Sequence, residues 1–366
     1  MDIKKYFDTY LESYKNYKEN WNYEDGCVLM ACKQMYEATN DDKYIQFILH
    51  YLADIVTNKG EIVNYNTEKY SIDDISCGKI LFFVYEKTKE EKYKKAFEFI
   101  MKRLMSHPRC ACGNFWHKEI YPNQIWLDGL YMAQPFYMEY ETKYHKKENY
   151  EDIINQFRNV RKYLYNDSKK LYYHAYDEAK IQPWCNKKTG CSSNFWLRSM
   201  GWYLMALIDV IDNMSEEIYE YYRELIDLFK EAIKGILPYQ DIKTGMFYQV
   251  IDQGEVEGNY LETSGTSMIA YAIMKGCRLQ ILEEEKYANI GIYAFEGMKK
   301  EKLVPMDGGL SLQGICHVAG LGPGEKRDGS VAYYLSEKIV SDDAKGTGPF
   351  IMAYAQYVML KKSGGK

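Results

Sequence analysis

No run of five or six basic residues occurs anywhere in this 366-residue chain, and its formal net charge is -5. That excludes the electrostatic footprint of a protein that grips nucleic acid or an anionic membrane. Any acidic ligand must therefore meet a local cationic pocket. No uninterrupted apolar stretch reaches the roughly 18 to 20 residues that a membrane helix needs. The N-terminal residues Met1-Asp2-Ile3-Lys4-Lys5-Tyr6 lack the apolar core of a secretory leader. A cytoplasmic protein is the expectation. The nine cysteines are odd in number and scattered, so they do not read as a disulfide framework. Neither Cys110-Ala111-Cys112 nor the Cys185 and Cys191 pair has zinc-site spacing. No metal, no cofactor and no obligate protein partner is expected.

The composition is 46% hydrophobic and 27% charged, within the normal range for a packed globular chain. Aromatics reach 16%, with 37 Tyr and 6 Trp. Amphipathic rings suit carbohydrate faces as well as cores, although most of the Tyr are accounted for by packing at helix surfaces. The length would allow two average domains, but toroidal and barrel folds often use it as one unit.

One unit recurs five times: a Gly near the start of an apolar helix, a polar break, then an amphipathic helix that carries Tyr. The first copy runs from Gly26 to Asp41-Asp42-Lys43-Tyr44 and the second from Gly78 to Glu90-Glu91-Lys92-Tyr93. The others start at Gly129, Gly201 and Gly265, and Gly348 opens a sixth apolar helix. That last helix lacks a following partner, whereas the amphipathic stretch from Tyr6 to Tyr17 lacks a preceding one, so pairing them closes a ring. In each unit the first helix is apolar nearly all round and reads as inner, while the second has a polar face and reads as outer. The pattern predicts an all-α (α/α)6 barrel over residues 1–366 as a single domain. An open solenoid would have a tighter and more constant repeat; here the spacing drifts from roughly 50 to 85 residues. The extra length falls in turn-rich segments with strand-like alternation, Pro108 to Asn123, Ser168 to Asn194, Tyr239 to Asn259 and Met306 to Ser330. Each precedes an inner helix, so they would gather at one end of the ring and wall a cleft there.

The starts of the inner helices carry more charge than a core requires. Asp73 and Asp74 precede Gly78, Asp128 precedes Gly129, Arg198 precedes Gly201 and Glu262 precedes Gly265. A carboxylate at such a position is often no more than an N-cap. Asp128 differs in its aromatic neighbours, Trp126, Tyr131 and Phe136. A carboxyl desolvated among rings has a raised pKa and can hold a proton near neutrality, as a general acid must. Asp73 from the neighbouring inner helix could tune it, with Asp74 as its rival. His117 and Lys118, His174, and Arg198 lie in aromatic settings on insertions or inner-helix starts. A lone His beside Tyr is commonly a satisfied core residue, but four such groups point to a site for an acidic sugar, with Arg as a fork for a carboxylate.

These residues fall within a series of motifs. They include Asn22-Tyr23-Glu24-Asp25-Gly26, Ile72-Asp73-Asp74-Ile75, Phe115-Trp116-His117-Lys118 and Trp126-Leu127-Asp128-Gly129. Further along come Tyr172-Tyr173-His174, Phe195-Trp196-Leu197-Arg198, Tyr260-Leu261-Glu262-Thr263-Ser264-Gly265 and Arg327-Asp328-Gly329-Ser330. In this order, over nearly the whole chain, they resemble the unsaturated rhamnogalacturonyl hydrolases of glycoside hydrolase family 105. That family is sister to the unsaturated glucuronyl hydrolases of family 88. The resemblance implies an (α/α)6 barrel without metal that releases a 4,5-unsaturated uronic acid from the non-reducing end of lyase products. It implies water addition across the C4=C5 bond, with Asp128 protonating C4 and then activating water, and Asp73 as the second acidic residue. His117, Lys118, Trp126, His174, Trp196, Arg198 and Trp202 would bind the sugar. The small acidic oligosaccharide would be an unsaturated rhamnogalacturonan disaccharide. The other readings are a glucuronyl hydrolase acting on glycosaminoglycan-type disaccharides, a sugar epimerase, which would need paired His bases in the cleft, and a non-catalytic helical-repeat module.

Overall fold

The computed structural model describes residues 2–324 and 326–363. Six helices form an inner ring: α2 (Tyr23–Thr39), α4 (Asp73–Ser76) continued by α5 (Lys79–Thr88), α7 (Gly129–Tyr144), α9 (Leu197–Asn213), α11 (Thr263–Arg278) and α14 (Ala344–Ser363). Six lie outside them: α1 (Ile3–Ser13), α3 (Lys43–Ala53), α6 (Glu91–Met105), α8 (Tyr150–Leu164), α10 (Tyr219–Ile236) and α12 (Glu284–Glu301). Each inner helix touches the next, α14 returns to α2, and α1 packs on α14. The ring is closed, an (α/α)6 barrel, and the open solenoid is set aside.

The two layers differ as their sequences do. In α9 every residue from Leu197 to Ile211 is buried, whereas α10 buries only a stripe that includes Leu225, Phe229, Ala232 and Ile233. All-round burial requires an apolar surface on every side; a helix with water on one face needs only a stripe. The recurring Gly has a steric cause. A Cβ on Gly26 would stand 2.9 Å from Cys77 Cα, and one on Gly348 would stand 2.7 Å from the Cys27 carbonyl oxygen. The inner helices approach closely at these points near their N-terminal ends, and an added methyl group would push them apart.

The insertions form four two-stranded antiparallel pairs. β1 (Gln124–Trp126) pairs with β4 (Ala175–Asp177), and β2 (Tyr165–Asn166) with β3 (Leu171–Tyr172). β5 (Leu303–Met306) pairs with β6 (Gly309–Leu312), and β7 (Ile315–Cys316) with β8 (Ile339–Val340). The last insertion is longer than Met306 to Ser330. It opens at Leu303 and carries a short helix α13 (Val331–Ser336) and β8 before α14 starts, so it does not lead straight into an inner helix. All nine cysteines are free thiols, eight of them buried. Among the described residues no helix is long and apolar enough to cross a membrane.

Candidate active site

At the inner-helix starts the acidic residues part company. Glu262 is an N-cap: its carboxylate accepts from the Ser264 and Gly265 backbone N–H groups at 3.0 and 2.7 Å and from Cys316 N at 3.0 Å. Asp128 occupies the corresponding place before α7, yet its side chain caps nothing. Its Oδ1 is buried and has no hydrogen-bond partner. A buried polar atom without a partner costs stability, which capping cannot explain here.

Short β contacts bring the other groups to Asp128. The β1–β4 register sets Trp126 opposite Ala175, and Leu127 N donates to the His174 carbonyl at 2.9 Å, which seats the imidazole behind the carboxyl. A bridge between Ser71 and Lys118 does the same for the neighbouring helix. Lys118 Nζ lies 2.7 Å from Asp73 Oδ2, and His117 Nε2 lies 3.7 Å from Asp73 Oδ1. The His117 ring stacks on Trp126 with centroids 4.4 Å apart, and Tyr121 stacks on the same indole at 4.8 Å.

A cavity of about 210 Å³ opens over this cluster, lined by Asp73, His117, Lys118, Trp126, Asp128, Trp196, Arg198 and Trp202. Of the residues that the resemblance assigns to catalysis or sugar binding, His174 alone does not line it. It is fully buried, with Nδ1 2.8 Å from the Tyr334 hydroxyl and Nε2 3.8 Å from Asp128 Oδ1. Burial pushes its pKa down to about 3. The ring lies behind the Asp128 carboxyl, and its Nε2 makes no hydrogen bond there. Among the described residues no second His faces the cavity across from His117, whose pKa burial lowers to about 3 as well. Within the acidic doublet Asp73 lines the cavity and Asp74 does not.

The two cavity aspartates are driven in opposite directions. Burial, reinforced by the nearby Asp73 charge, raises Asp128 to about 7. Burial would also raise Asp73, but Lys118 and His117 beside it outweigh that and hold it below the usual carboxylate range. Near neutral pH one carboxyl can keep its proton while the other is ionised, which is the division of labour of acid/base pairs. Arg198 is more constrained than its sequence setting suggests. Nε donates to Ser264 Oγ at 2.8 Å, and the two terminal nitrogens donate to the His317 and Cys316 carbonyls. Three of its five N–H groups are thus engaged. Among the described residues no group of three or more His, Cys, Asp or Glu side chains is arranged to hold a metal ion.

The model of Glycosyl Hydrolase Family 88 matches residues 2–361. The chain belongs to that family. A solved structure described as a family 105 glycoside hydrolase from C. acetobutylicum ATCC 824 superposes with a TM-score of 0.92 at 42% identity. The alignment covers 98% of this chain and 99% of that one. Protein Atu3128 of Agrobacterium fabrum is 39% identical over 237 residues, 63% of this chain and 100% of its own length. Unsaturated rhamnogalacturonyl hydrolase YesR of Bacillus subtilis is 23% identical over 265 residues, 71% of this chain and 72% of its own. The chain is accordingly a glycoside hydrolase, and the non-catalytic repeat module is set aside.

This family 88 member also builds its cavity from residues given no role in the sequence, although Tyr23, Glu24 and Arg327 lie within the motifs of the resemblance. Lys18, Tyr23, Glu24, Tyr121, Val318, Ala319, Gly320 and Arg327 complete the wall. Glu24 is nearly fully buried; Oε1 pairs with Lys18 Nζ at 2.6 Å, while Oε2 has no partner. Its signal in the sequence was its place in Asn22-Tyr23-Glu24-Asp25-Gly26, where an acidic residue in the first turn of a helix reads equally well as a dipole partner.

Proposed function

We propose that this hydrolase removes a 4,5-unsaturated uronic acid from the non-reducing end of lyase-generated oligosaccharides, with Asp128 as proton donor and then base. The observation that carries the reading is the Asp128 carboxyl, buried without a cap or partner at the cavity wall and raised to about 7 beside an ionised Asp73. The Asp128 proton goes to C4, and the π electrons of the C4=C5 bond form the new C–H bond. Positive charge is left on C5 and the ring oxygen, an oxocarbenium-like centre that the Asp73 and Asp128 carboxylates stabilise. Asp128, now ionised, takes a proton from water as the water oxygen bonds to C5. The C5 hemiketal opens to a ketone, C1 becomes a hemiacetal, and its collapse to an aldehyde frees the next sugar as an alcohol. Trp126, Trp196 and Trp202 offer faces to the pyranose, and His117, Lys118 and Arg198 supply polar contacts and positive charge; His174 orients Asp128 from behind.

The likeness to the Bacillus subtilis and C. acetobutylicum proteins favours an unsaturated rhamnogalacturonan disaccharide over a glycosaminoglycan-type one, and thus a role in pectin degradation. The nine free thiols suit a reducing, cytoplasmic setting, with the whole chain acting as one catalytic unit. The test is loss of the far-ultraviolet absorbance of the unsaturated uronate, followed on both disaccharides. Wild-type protein should consume the rhamnogalacturonan disaccharide, and Asp128→Asn should be about 10²- to 10⁴-fold slower, the usual worth of a general acid. A folded Asp128→Asn protein within a few-fold of wild type would overturn the assignment.

A further inference from the structure

Four cationic side chains line the cavity, Lys18, Lys118, Arg198 and Arg327, against three carboxyls, Glu24, Asp73 and Asp128. Three of the four cations are matched within the protein. Lys18 pairs with Glu24 at 2.6 Å, Lys118 with Asp73 at 2.7 Å, and Arg198 stands 3.8 Å from Glu262 with most of its donors engaged. Arg327 has no carboxylate within ion-pair distance among the described residues. The adjacent Asp328 is turned to the Ser330 backbone N–H at 2.9 Å instead.

The surroundings hold Arg327 where it can be used. Its carbonyl accepts from Gly322 N at 3.0 Å, which closes the loop that carries it. Gly320 leaves room for the guanidinium: a Cβ there would stand 3.1 Å from Nη1 and 3.6 Å from the Trp126 ring. The guanidinium and the edge of the indole that flanks Asp128 thus both border the space beside Gly320, with Arg327 half-buried and without an ion pair among the described residues. A guanidinium on the wall of a partly desolvated cavity, with no carboxylate beside it among the described residues, has lost part of its hydration without such a counter-charge, and its planar fork matches a carboxylate. The cavity, about 210 Å³, is smaller than the roughly 300 Å³ at which drug-sized sites begin, so it suits a single ring rather than a disaccharide.

We infer that Arg327 is the specificity residue that reads the carboxylate of the ring bound in the cavity, a role that Arg198, occupied by backbone carbonyls and Ser264, is poorly placed to fill. The inference rests on the reaction proposed above and adds to it a requirement for an unesterified unsaturated uronate.

The test is a cycle of two proteins and two substrates. Wild type and Arg327→Gln are each assayed on the unsaturated rhamnogalacturonan disaccharide and on the same disaccharide with its uronate methyl-esterified. The ester also alters the reactivity of the double bond, but equally for both proteins, so the cycle cancels that effect. Wild type should lose roughly 10- to 100-fold in kcat/KM on esterification beyond the loss seen in Arg327→Gln, the worth of a charge-assisted hydrogen bond. Arg327→Lys, which keeps the charge without the fork, should fall between them and serves as the cycle partner if the Gln protein is unstable. An identical ester penalty in all proteins would overturn the inference, as would a defect confined to longer substrates that carry a second uronate further along. The reaction itself is judged separately. If wild type turns over neither substrate, calorimetric binding of the pair to Asp128→Asn and to Asp128→Asn/Arg327→Gln gives the same cycle. Preference for the acid only where Arg327 is present supports the inference; equal preference, or no binding at all, overturns it.

Discussion

The same ring of inner helices holds two buried clusters of charge, and they are built on opposite terms. About three turns down α9 and α11 from the cavity, Lys275 Nζ lies 2.8 Å from both the buried Asp209 and Asp212 at the solvent edge, and the Tyr271 hydroxyl donates to Asp209 at 2.7 Å. Each charge there has an opposite charge beside it. At the mouth, Asp128 Oδ1, His174 Nε2, His117 Nδ1 and Glu24 Oε2 are buried without partners. A satisfied network rigidifies a core; buried carboxyl oxygens left without partners on residues that line a cavity, as in Asp128 and Glu24, are what a ligand could complete. Charge alone does not mark the site in this barrel. Incomplete pairing of charged groups on a cavity wall does.

The comparison can be broken most severely at the deep cluster. Lys275→Met leaves the buried Asp209 without its cation, and about 3–5 kcal/mol of stability should be lost. Denaturant unfolding measures it, and a loss under about 1 kcal/mol would mean that the network is not the structural counterpart of the mouth. Asp128→Asn should act in the other direction. An unfolded carboxyl ionises near 4 and this one near 7. Over that window the unfolded chain releases its proton first, so burial of Asp128 costs stability as pH rises. The cost grows to at most about 4 kcal/mol, some three pKa units. The Asn variant escapes it, so its Tm should exceed that of wild type by more at pH 8 than at pH 4. An equal difference at both would contradict the raised pKa.

Lys118→Met sharpens the contrast within the mouth. Without Lys118 the Asp73 carboxyl loses the partner that holds it ionised, and kcat/KM should fall roughly 10- to 100-fold, the worth of a charged hydrogen bond. Unchanged turnover would show that the ionised state of Asp73 is immaterial. The smallest effect is expected from Tyr334→Phe, which removes the hydroxyl from His174 Nδ1 and should cost about 1 kcal/mol with a few-fold loss of rate. A larger loss of rate than of stability there would give His174 a more direct role than orientation.

The barrel was legible because two physical requirements leave marks in the chain. Helices wetted on no side are apolar all round, and close helix approach demands Gly, as at Gly26 and Gly348. Groups seated by the motifs around Asp128, Lys118 and Trp196 were legible as well, since aromatic surroundings for a charge are unusual in a core. Three features were not. Asp73 and Asp74 are adjacent, and only the short α4 decides which faces the cavity. Lys18 and Arg327 come from irregular segments whose path has no period to read, so that even the motif around Arg327 did not show that it lines the cavity. The depth of His174 depends on the β1–β4 pairing across some 50 residues, and no local pattern encodes it.

The account stands on Asp128 holding a proton at neutral pH, and the pH dependence of kcat/KM on the unsaturated disaccharide tests that most directly. With a proton donor whose pKa is about 7, the rate should be level on the acid side and fall tenfold per unit above about pH 7. A rate that rises through pH 4 and then stays level to pH 9 would show a carboxylate working in its ionised form and would contradict the assignment.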